Sequence, residues 1–122
     1  MKITVCELPD EAARREGAWA DLVRHLVASP TDIVVLPEMP TGGHRRWRMA
    51  ACLVAIMSGC FVASANRRSY DSEAFAGRSW LISPEGEILA ETGADSPFVT
   101  VEIDLAEANR AKRTYPRNLM IS

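Results

Sequence analysis

The chain of 122 residues has only two lysines, two histidines and three cysteines, and these shortages limit the chemistry open to it. Cys6, Cys52 and Cys60 are an odd set with no Cys-x-x-Cys spacing, and Cys52 and Cys60 lie in apolar surroundings. The pattern argues against a disulfide framework and shows no zinc spacing; it fits reduced, buried thiols. No charge of one sign dominates, since 14 Lys+Arg stand against 16 Asp+Glu for a net charge of −2. Neither nucleic acid nor an anionic membrane is implied as a partner. Long apolar runs are missing too. The longest, Met49 to Ala63, is broken at Ser58-Gly59 and falls short of the roughly 20 residues that span a bilayer. The opening run Ile3 to Leu8 is shorter than the apolar region of a signal peptide, so a soluble, cytoplasmic protein is expected. Gly42-Gly43 lacks the other positions of a phosphate loop, and there is no Gly-x-Ser-x-Gly elbow to support serine hydrolase chemistry.

What is present is an ordinary globular composition, 48% hydrophobic and 25% charged, of a length that suits one domain. MKITVCEL reads as a first strand, stopped at Pro9-Asp10. From Glu11 to Ser29-Pro30 the apolar residues Trp19, Leu22, Val23, Leu26 and Val27 share one helical face. Asp32 to Glu38 is a continuous apolar run that suits a parallel strand covered on both faces. A loop, Thr41 to His44, leads into a second helix over RRWRMAACLVAIMSG, then a strand over Cys60 to Ala65 and a surface loop over Asn66 to Arg78. Ser83-Pro84-Glu85-Gly86 places proline and glycine where a type I turn favours them, so Ser79–Ser83 and Glu87–Glu91 form a hairpin. Phe98 to Ile103 alternates like a strand, and Asp104 is placed to cap a short helix from Leu105 to Lys112, before Pro116.

The order of these pieces resembles the carbon-nitrogen hydrolase family, the nitrilase and amidase superfamily, in two blocks. Residues 1–40 carry MKITVCEL, Trp19-Ala20-Asp21-Leu22 and Val35-Leu36-Pro37-Glu38-Met39-Pro40. Residues 47–117 carry AIMSGCFVASANR, Phe75-Ala76-Gly77-Arg78-Ser79, Ser83-Pro84-Glu85-Gly86-Glu87 and Val101-Glu102-Ile103-Asp104-Leu105. The resemblance implies an α/β fold, the α-β-β-α sandwich, here as one shortened domain with a junction at residues 41–46. It implies hydrolysis of a non-peptide carbon–nitrogen bond with no metal or organic cofactor. A glutamate takes the proton of a cysteine, the thiolate attacks an amide or nitrile carbon, a lysine steadies the developing charge, and water releases the product. Glu38 matches the family's glutamate. A carboxylate at the C-terminal end of a buried strand also sits where α/β proteins bind ligands; the bland alternative is a carboxylate that pairs with Arg45 or Arg46.

The family's lysine and nucleophilic cysteine fall between the two blocks, where this chain has only Thr41 to Arg46. Glu38 is thus the one member of the triad that the resemblance retains, and the chain is expected to be inactive alone. An absent middle would leave apolar sheet surface open, which predicts a homo-oligomer or pairing with a longer homologue. A non-catalytic binding or regulatory subunit is the alternative function, with a small amide or nitrile as the possible ligand of either. Cys60 and His44, with Glu38 orienting the histidine, form a rearranged triad to be weighed, although a cysteine opening an apolar strand is more often core. His25 reads as a surface histidine, and His44-Arg45-Arg46-Trp47-Arg48 as a solvated helix entrance with Trp47 turned inward.

Overall fold

The computed structural model describes residues 1–9, 12–38, 44–66, 78–93 and 95–114, with the side chains of residues 12, 44 and 45 excepted. The elements run β1 (Ile3–Val5), α1 (Ala12–Ala28), β2 (Ile33–Leu36), α2 (His44–Ser58), β3 (Phe61–Ser64), β4 (Trp80–Ile82), β5 (Ile88–Glu91) and α3 (Ala106–Ala111). Five strands make one sheet in the order β1-β2-β3-β4-β5, parallel through β3 and antiparallel beyond it. The fold is α/β.

Each expected element between Ile3 and Glu91 is present, with ends that agree to within three residues: most are shorter, and α2 begins one residue earlier, at His44. The loop expected at residues 41–43, most of the one at 66–78, and the Phe75-Ala76-Gly77 and Pro116 positions lie outside the described residues. The hairpin turn closes as its sequence predicts. Gly86 N–H donates to the Ser83 carbonyl at 2.9 Å, and Ser83 Oγ accepts from the amides of Glu85 and Glu87. Gly86 has a φ of +84°, and a Cβ there would meet Ile56 Cδ1 at 2.7 Å, so both backbone and packing favour glycine. Asp104 Oδ1 accepts from the Ala106 amide at the start of α3, as a capping carboxylate does.

Two expectations are corrected. Phe98 to Ile103 forms no strand: its alternation is sound, but among the described residues its backbone joins no ladder, and Phe98 is 91% exposed. Nor do the described residues cover β2 on both faces. Val34 and Leu36 are buried, whereas Val35 between them is 37% exposed.

The side-chain period of two explains that asymmetry. Leu22 and Leu26 of α1 and Ala51, Val54 and Ala55 of α2 form one core with Val34, Leu36, Val62, Trp80 and Ile82, all from one face of the sheet. Trp19 and Trp47 pack against this core and meet edge to face, 5.5 Å between centroids, so Trp47 does turn inward. On the other face, strand pairing aligns Val5, Val35, Ala63, Leu81 and Ala90 in a row across all five strands. The described helices α1 and α2 leave this row alone. At one end of the same face Phe61 is completely buried, near where Lys112 Nζ of the α3 cap donates to the Gly59 carbonyl at 3.0 Å.

Candidate active site

Three parallel strands end on one side of the sheet, and that side holds Glu38, two residues past the end of β2 and half-buried. Parallel strands expose their last carbonyls and following loops there, which makes it the usual ligand side of an α/β sheet. Cys6 follows β1 on the same side, and its thiol reaches the Val35 carbonyl at 3.6 Å. Burial pushes the Cys6 thiol up from its ordinary value, so little thiolate forms at neutral pH. Its nearness to the Glu38 end was not legible without the strand register.

The remaining lysines and cysteines stand elsewhere, and all of them lie among the described residues. Lys2 precedes β1, where its amide donates to Asp32 Oδ2 at 2.8 Å, beside the start of β2. Lys112 Nζ is held by the carbonyls of Gly59 and Ala108, beside the start of β3. Cys60 is fully buried at that start, with its sulfur 2.8 Å from Ser58 Oγ. The register Ile33 to Phe61 then separates Cys60 from Glu38 by the length of the strand, on the order of 15–20 Å. The rearranged triad of Cys60, His44 and Glu38 does not form. Cys52 lies on α2, half-buried, and burial raises its thiol while the Arg48 charge opposes the rise. His25 sits exposed in the last turn of α1. Among the described residues no group of three or more His, Cys, Asp or Glu is placed to hold a metal, and no helix is long and apolar enough to cross a membrane.

One polar cluster escaped the sequence reading. Glu91 receives Arg48 Nη1 at 2.7 Å and Arg78 Nη1 at 2.9 Å, joining α2, the entry to β4 and the end of β5. Around it, Asn66 N–H donates to Ser79 Oγ, and the Asn66 side-chain amide donates to the Arg78 carbonyl at 2.7 Å. Burial alone would push the Glu91 carboxyl up, but the bonds and charges of Arg78 and Arg48 outweigh it and hold the group below its ordinary value of 4.5. A carboxyl depressed on folding contributes stability above its unfolded value and loses it as pH falls through the folded one. Denaturant titrations at stepped pH are expected to show wild type more stable than Glu91→Gln near neutrality. The gap should close as the pH is lowered below 4.5.

Comparison with known proteins decides what this arrangement descends from. The family model for carbon-nitrogen hydrolases matches residues 15–113. The chain belongs to the carbon-nitrogen hydrolase family. It is 32% identical over 94 residues to 2-oxoglutaramate amidase of Bacillus subtilis, a match that takes in 76% of this chain and 36% of the relative. It is 33% identical over 96 residues to a bifunctional nitrilase/nitrile hydratase of Lupinus angustifolius, covering 60% of this chain and 28% of that one. The crystal structure of a carbon-nitrogen hydrolase from Helicobacter pylori superposes with a TM-score of 0.62 at 16% identity, over 96% of this chain and 44% of the other. The matched part of the chain thus covers less than half the length of each of these carbon-nitrogen hydrolases. The amidase match fills 76% of the chain within 94 aligned positions, so it crosses residues 41–46 without a long interruption and gives no support to the missing interval expected there.

Proposed function

We propose that this chain is a carbon-nitrogen hydrolase homologue in which Glu38 is the proton acceptor at the ligand end of the sheet and which turns over neither amides nor nitriles by itself. The placement of its lysines and cysteines carries this reading. Both lysines and Cys60 stand at the end of the sheet opposite Glu38, and the one thiol at the Glu38 end, Cys6, is held protonated by burial. A carboxylate can accept a proton there. Without a thiolate to make and a lysine at that end to meet the developing oxyanion, the family's route has nothing to drive. The relatives' names give the class of compound to try, carboxamides such as 2-oxoglutaramate and nitriles.

Purified chain is expected to release no ammonia above the uncatalysed rate from a broad panel of amides and nitriles, and Glu38→Gln is expected to change nothing in that assay. Turnover abolished by Cys6→Ser, or an acyl adduct found on any of the three thiols by mass spectrometry, would overturn the reading. A second reading, a non-catalytic binding subunit, draws on one specific observation, the apolar row left open on the sheet.

A further inference from the structure

We propose that a second copy of this chain covers the open sheet face, so that two sheets stack with α1 and α2 of each copy on the outside. The row Val5, Val35, Ala63, Leu81 and Ala90 carries no charge or hydrogen-bonding side chain, and it crosses every strand. Val99 and Val101 line the same shallow groove as Val35, Ala63, Leu81 and Ala90, and are 44% and 38% exposed. Val5, at the edge of the row, is 76% exposed and Ile3 beside it 52%. Parallel strands are ordinarily covered on both faces, because their backbone and alternating side chains leave no polar side to turn to water. Here the described residues supply one cover, the two helices.

Size and self-complementarity favour a second copy as the other cover. This chain accounts for 44% of the solved hydrolase chain on which nearly all of it superposes, so one more chain of equal length supplies about what that larger molecule has beyond the shared part. A face built from one uncharged row meets itself across a two-fold axis without pairing like charges. Net charge opposes association little, at −2 per copy. Stacked sheets of this kind lie about 10 Å apart with strands near 30° to one another, a spacing that valine, leucine and alanine side chains fill.

The inference is independent of whether the chain turns over any substrate. Its test is sedimentation equilibrium on the purified chain across the micromolar range, with thermal melts at the same concentrations. The expected mass is twice 13.4 kDa, and the melting temperature should rise with concentration. Val35→Lys is expected to weaken association at least tenfold while keeping the far-ultraviolet circular dichroism of the parent. If that variant loses its fold, Val5→Lys, at a position already exposed, takes its place with the same expected dissociation. Met49→Lys with Leu53→Lys, on the exposed side of α2, should leave the dimer intact. A chain that stays monomeric throughout overturns the proposal. So does a dimer that survives both sheet-face variants or dissociates with the helix-face pair.

Discussion

Replacing Phe61 by alanine is expected to remove about 3–5 kcal/mol of folding stability, the range for deleting a buried aromatic ring. Phe61 opens β3, the strand that pairs with both β2 and β4, so it lies at the middle of the sheet. Its side chain points to the face that α1 and α2 do not cover, in register with Ile3 and Ile33, yet none of it is exposed. The short helix α3 is tied to the chain just before Phe61, at the same end of the sheet as half-exposed Ile3. Ala108 and Ala111 are buried, and the Lys112 ammonium ties the end of α3 to Gly59, two residues before Phe61. Removing the ring would leave a cavity at a fully buried position in the middle strand of the sheet. Urea denaturation measures the loss. A change below about 1 kcal/mol would mean that the ring is not packed as described.

Trp80 gives a second large effect, and one with an internal control. It lies on β4 between Ser64 and Glu91, is 4% exposed, and belongs to the core that α1 and α2 share with the sheet. Trp80→Ala is expected to cost about 3–5 kcal/mol. Trp80→Phe is expected to cost much less, because most of the ring volume stays, and less again than volume alone predicts. The indole Nε1 is buried with no hydrogen-bond acceptor among the described residues, and an unmet buried donor costs about 1–3 kcal/mol. Phenylalanine removes that donor together with part of the ring, so the two contributions oppose each other. A Trp80→Phe loss well above about 1.5 kcal/mol, more than the change of ring size accounts for, would show that Nε1 has an acceptor.

How much of this was readable from the chain alone depended on whether a feature is local. The hairpin at Ser83 to Gly86 was legible because proline and glycine restrict the backbone by themselves. Helices α1 and α2 were legible because their apolar residues recur at the helical period, and β1 to β3 because β-branched runs end at proline, glycine or serine. Val35 was misread for a different reason. A continuous apolar run says what a strand could bury and not what arrives to cover it, and the described residues bring helices to only one side. Likewise Phe98 to Ile103 alternates correctly, but a strand needs a neighbour.

The site divides the same way. Glu38 was visible as a carboxylate at the end of a buried run, and the role proposed for it rests on family likeness and not on spacing. The opposite placement of Cys60 and the two lysines follows from register and from the docking of α3, neither of which spacing in the chain encodes. The three groups at Glu91 come from positions 48, 78 and 91. The only local hint was that Glu91 alternates with Ala90, and so faces the helix side with Trp80.

Strand order in this sheet is also the order of the chain, from β1 at one edge to β5 at the other. Each strand is laid beside the one translated just before it, so no pairing waits for a segment not yet made. The ribosome can therefore release this sheet one finished row at a time, with every unfinished intermediate carrying a single growing edge. The longest reach in the sheet is then the step from Ile3 to Ile33, and the entropy of closing loops is divided among successive steps.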